Sequence, residues 1–143
     1  MKHEFFELSE FIKSSTAKGR GIDNTPTFEV VAHLDELVAR ILDPLRAAYG
    51  HPIKISSGYR CPALNRAVGG SATSVHQIGY AADLQVSGSF KTFRDFVVEW
   101  FEQTRTGFDQ LLIERDSKGK RWIHIGLYSN SGEQRKIINV LYK

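Results

Sequence analysis

The chain has 143 residues, 41% hydrophobic and 24% charged, with a net charge of +3. This suits one globular domain spanning residues 1–143, with enough apolar content for its own core. No apolar run approaches the roughly 20 residues a membrane span needs, the mild charge does not argue for nucleic acid, and the single cysteine, Cys61, excludes an internal disulfide or a cysteine-rich metal cluster. A monomer without stable membrane association is expected. The first seven residues carry acidic groups where a signal peptide needs an apolar stretch, so synthesis in the cytoplasm is expected.

In chain order, residues 8–13 predict a short helical turn capped near Ser9. Residues 14–24 are polar and contain glycine, hence a loop. Thr25-Pro26 makes a helix start, with the hydroxyl as cap and proline in the first turn. Phe28, Val31, Leu34, Leu37/Val38, Ile41/Leu42 and Leu45 follow at helical spacing, and Pro44 should kink or break that helix near Asp43. His33 falls on the polar side, in solvent. Residues 53–57 predict a strand ending at Gly58, and residues 62–68 a short helix opened by Cys61 and ended by Gly69-Gly70.

Residues 81–86 alternate as a strand. Ala81, Asp83 and Gln85 share one face, and Ala82, Leu84 and Val86 face a core. Residues 89–103 predict a helix whose stripe, Phe90, Phe93, Phe96/Val97 and Trp100/Phe101, packs on the back of the sheet. Residues 109–114 and 121–128 form two strands joined by a polar turn, Asp116-Ser117-Lys118-Gly119. A hairpin centred near Lys118 sets Leu112 opposite His124 and Glu114 opposite Trp122. Facing residues project to the same side, so Glu114 lies on the face of His124; a slip of one residue would turn it away. After a polar loop at 129–133, Gln134-Arg135-Lys136 reads as a solvated basic face and residues 137–142 as a last strand at or near the edge. The fold class is α+β: a small antiparallel sheet with helices packed on one face.

The chemistry concentrates in residues 74–83. His76 stands on a loop before Gly79, and Asp83 follows on a strand. A third donor would complete a catalytic metal site with one open position, and His124, on the strand at 121–128, is the obvious one. Three donors meeting by chance is improbable, although each histidine alone could be a plain loop or sheet-edge residue.

Ser-x-His-x-x-Gly-x-Ala-x-Asp stands complete as Ser74, His76, Gly79, Ala81 and Asp83. Ser57-Gly58-Tyr59-Arg60-Cys61-Pro62 precedes it, and Trp122-Ile123-His124 follows. Together these resemble the zinc D-alanyl-D-alanine carboxypeptidases of peptidase family M15, especially the short phage and bacterial branch that cleaves cell-wall peptides, from about Phe11 to His124. The resemblance implies the fold these enzymes share with the hedgehog signalling domain, and one zinc ion on His76, Asp83 and His124. It also implies hydrolysis of peptidoglycan stem peptides or cross-bridges, with Arg60 and Ser74 positioning the substrate.

In the family pattern the proton-transferring acid often lies three residues before the last histidine, where this chain has Arg121. Glu114 is then the first choice for the base and Asp109 the second. The resemblance suits an endolysin released through a membrane hole or an enzyme built into a phage particle. Two other readings stay open: a catalytically silent zinc-containing module that binds a wall or partner, and a cytoplasmic dipeptidase acting on free D-alanyl-D-alanine.

Overall fold

The computed structural model describes residues 3–139. Helix α1 (Leu8–Ile12) opens after Glu7, whose N–H donates to the Glu10 carboxylate at 2.7 Å. The stretch expected as a loop contains a second helix, α2 (Ser15–Arg20). Its sequence gives no apolar period, but Ser14 caps the Ala17 N–H, Ala17 is buried, and Gly21 ends the helix at φ 65°.

Helix α3 (Phe28–Leu37) starts after Thr27, whose hydroxyl accepts from Val30 N–H; Thr25 instead bonds Asp23. The buried stripe begins at Val30, and Phe28 is 97% exposed. Steps of three residues each fall about 60° short of a full turn, so two in succession carry Phe28 off the face that holds Leu34.

Pro44 does not break the run. A π turn (Val38–Leu42) closes with the Asp43 N–H on the Val38 carbonyl, and α4 (Asp43–Tyr49) continues directly from it. The wider turn accommodates the missing proline donor and its ring.

Among the described residues the sheet has five strands, in the order β1-β2-β4-β3-β5. Strands β1 (Lys54–Ser57), β2 (Ala81–Gln85), β3 (Gln110–Arg115) and β4 (Arg121–Gly126) pair antiparallel, as expected. The last, β5 (Ile137–Asn139), adds to the edge parallel to β3, so the sheet is mixed. The chain leaves β4, crosses the polar loop at 129–133 and returns beside β3, which gives β5 the direction of β3. Residues 140–142 of the expected last strand lie outside the described residues.

One sheet face carries Ile55, Ala82, Leu84, Leu111, Ile113, Ile123 and Ile125, all buried. The short helix expected after Cys61 is α5 (Pro62–Ala67). Against this sheet face pack α3, α4 and α6 (Phe90–Thr104, capped by Ser89), whose buried Phe93, Val97, Trp100 and Phe101 belong to the expected stripe. The opposite face presents Asp83, Gln110, Leu112, Glu114, Trp122 and His124. No helix among the described residues is long and apolar enough to cross a membrane.

Candidate metal centre and substrate cavity

Strand pairing places Asp83 directly opposite His124. His76 arrives from a 3-10 turn (Val75–Ile78) capped by Ser74 and ended by Gly79 at φ 86°. A Cβ on Gly79 would stand 2.8 Å from the Val30 carbonyl oxygen, so glycine is needed there both for conformation and for closeness to α3.

The facing atoms form a nearly equilateral triangle. His76 Nε2 and Asp83 Oδ1 lie 3.2 Å apart, His124 Nδ1 and Asp83 Oδ1 3.1 Å, and the two ring nitrogens 3.2 Å. The far nitrogen of each ring is committed elsewhere. His76 Nδ1 donates to the Gly58 carbonyl at 2.6 Å, and His124 Nε2 to Gln110 Oε1 at 3.2 Å. In neutral rings those donors carry the protons, so three lone pairs converge on one point, a donor set that calls for a cation.

The spacing fits as well. Four ligands bound tetrahedrally at about 2.0–2.1 Å stand about 3.3–3.4 Å apart. All three residues are buried, and together they could hold a metal ion. Burial works against the Asp83 charge, and positive charge between it and the rings of His76 and His124, whether their protons or a bound cation, holds its carboxyl well below the ordinary range.

The triad opens into a cavity of about 800 Å³, lined also by Arg60, Ser74, Glu114, Trp122 and Arg135. The β3–β4 register is the expected one, Leu112 opposite His124 and Glu114 opposite Trp122. Glu114 therefore shares the face of the triad, and the Trp122 indole N–H holds its Oε1 at 2.9 Å. Arg121 is one residue out of phase with Trp122 and His124. Its guanidinium sits over the Phe90 ring of α6, 5.1 Å from the centroid. A strand residue three before a ligand faces the other way, so Arg121 does not occupy the place of a base.

Asp109 is different. It is fully buried, outside the cavity lining, and held by Arg135: the Arg135 backbone N–H and Nε donate to Oδ1 at 3.0 and 2.8 Å, and Nη2 donates to Oδ2 at 2.8 Å. That fork fastens the segment before β5 to the start of β3 and engages both carboxylate oxygens, so Arg135 is a structural anchor as well as a basic surface residue. The Arg135 hydrogen bonds hold the Asp109 pKa below the usual carboxylate value. A depressed carboxylate contributes stability above its unfolded pKa and loses it as pH falls through the folded value. Asp109→Asn is therefore expected to cost on the order of 1–3 kcal/mol at neutral pH. Urea melts should show the gap to wild type closing below about pH 4.

Arg60 projects from the loop after β1. Gly58 admits no side chain, because a Cβ would lie 2.5 Å from the Phe11 carbonyl oxygen. Asn24 fastens the same loop, donating from Nδ2 to the Tyr59 and Ile12 carbonyls and accepting from Cys61 N–H. Arg60 Nη2 reaches Ser74 Oγ at 3.3 Å, while its buried Nε has no hydrogen-bond partner among the described residues. Burial draws the guanidinium pKa below the ordinary arginine value, against the pull of Asp83 and Glu114.

Three supporting residues escaped the sequence reading. Gln110 shares the alternation of Leu112 and Glu114 and could have been found from the hairpin register. Asn24 and the Gly58 carbonyl act through chain-distant contacts and leave no local signal. His33 is half-buried rather than in solvent, with Nδ1 on the Ile78 carbonyl at 2.6 Å and its ring stacked on Tyr80, so it braces the turn that carries His76.

Among curated proteins, none matches the chain. A family model described as Peptidase M15 matches residues 4–126, which include the triad, Arg60, Ser74 and Glu114. With that match over most of its length, and a His-Asp-His group able to hold a metal, the chain belongs to the peptidase M15 family.

Proposed function

We propose that the protein is a zinc-dependent hydrolase of peptide bonds in bacterial peptidoglycan. The observation that carries this reading is the convergence of three lone pairs, from His76, Asp83 and His124, in a cavity that also presents a guanidinium, a hydroxyl and a carboxylate. When held by those three residues, zinc supplies Lewis acidity and brings the pKa of a water to about 7.

The remaining work falls to the chain. Glu114 has Oε1 fixed by Trp122, which leaves Oε2 to take the proton of the attacking water and return it to the leaving amine. Arg60, with an unpartnered buried Nε, suits a substrate carboxylate, which a planar guanidinium can bind with two parallel bonds. Ser74 Oγ already accepts from His76 N–H and Arg60 Nη2, so its own proton is available to a substrate carbonyl.

Digestion of isolated cell walls by the purified protein, followed by mass spectrometry of the fragments, tests this reading. New amino termini at one defined peptide bond are expected. A zinc-loaded protein that releases none would be a silent binding module, and faster turnover of free D-alanyl-D-alanine than of walls would make it a dipeptidase.

A further inference from the structure

A second groove, of about 570 Å³, meets the catalytic cavity at Arg60, which lines both. Three lysines converge on it from separate parts of the chain: Lys13 after α1, Lys54 in β1 and Lys120 in the β3–β4 turn. All three are exposed, and none forms an ion pair with a carboxylate among the described residues. The one carboxylate in the lining among the described residues, Glu10, is engaged by the Glu7 N–H. With Arg60, the groove holds a surplus of positive charge equal to the net +3 of the whole chain. Such a concentration beside an active site attracts anions, and a cleft focuses that field.

We propose that this groove is a second subsite, which takes carboxylate-bearing residues of the peptide substrate as it continues past Arg60. The proposal rests on the hydrolase reading above and narrows it. A chain that ended at Arg60 would leave the lysines without a counter-ion, whereas one that runs on meets three of them. The bond cut is therefore internal, and the activity is that of an endopeptidase. Lysines on flexible stems suit carboxylates at variable spacing, in contrast to the fork of Arg60 that fixes one of them.

The test uses full-length, zinc-loaded protein with Lys13, Lys54 and Lys120 all changed to Glu. The changes are on the surface, so the fold should hold, and circular dichroism checks it. Binding is read without turnover, on a Glu114→Gln background, by fluorescence anisotropy of a labelled oligo-γ-D-glutamate. The triple change should weaken binding at least about tenfold, and about 0.5 M salt should weaken the parent to a similar degree. Unchanged binding overturns the proposal, as does a clear preference for polyphosphate of matched charge, which would assign the groove to phosphate polymers.

With active protein, kcat/KM on a stem peptide extended by acidic residues should fall at least about tenfold in the triple variant. A peptide ending at the Arg60 position should be cut equally by both, and equal loss on the two peptides overturns the proposal. Lysine-dependent binding without any cleavage would support the groove while sinking the hydrolase reading, so the two failures are distinguishable.

Discussion

Glu114→Gln should lower wall hydrolysis by about 10²–10⁴-fold, the usual range for loss of a positioned acid–base group. The change is isosteric and the amide oxygen can still accept from the Trp122 indole N–H, so neither fold nor metal content should move. The measurement is kcat on solubilised wall peptides, with zinc content and melting temperature taken on the same preparation. Full activity would remove Glu114 from the chemistry. Among the carboxylates weighed for this role no substitute then remains, since Asp83 belongs to the triad and Asp109 to Arg135. Loss of activity with loss of zinc would instead mean that Glu114 acts through the metal centre.

The second large effect concerns the ion. Stripping it with a chelator should abolish hydrolysis and lower the melting temperature by roughly 5–10 °C relative to protein in about a hundredfold excess of zinc over Kd, with both restored by zinc. The physical reason is that three buried lone pairs repel one another when nothing positive lies between them. His124→Ala should remove binding outright. Gln110→Ala, which frees the ring without touching the ligand atom, should weaken zinc binding about 10–100-fold. Competition with a chromophoric chelator reads both. If Gln110→Ala bound zinc as tightly as the parent, the hydrogen bond at 3.2 Å to His124 Nε2 would have no part in orienting the ring.

Much of this was legible in the linear chain because the relevant physics is local. Period-two alternation assigned Asp83 and His124 to strands, and the short turn at 116–119 set the register that puts Glu114 beside them. The aromatic stripe of α6 was visible for the same reason, with buried positions recurring at the helical period. The errors lie where local backbone geometry, with no apolar period to mark it, sets the element. Helix α2 has no apolar period and is held by a serine cap and one buried alanine. The π turn ahead of Pro44 depends on a bond five residues apart that no propensity encodes.

Asp109 and Arg121 mark the boundary most sharply. As residue types in sequence, one suggested a base and the other a base lost. Packing gives each another partner: Arg135, 26 residues away, closes on Asp109, and strand phase turns Arg121 toward Phe90. By itself the sequence determined the three residues able to hold a metal and the strand face that Asp83, His124 and Glu114 share, since these follow from spacing and side-chain chemistry, and its motifs carried the resemblance to the family. Only the tertiary structure decided how Glu114 is held beside the triad, which groups orient the histidines, and that Arg60 faces two grooves at once. Those depend on atoms from distant segments meeting at hydrogen-bond range, which neither spacing nor composition specifies.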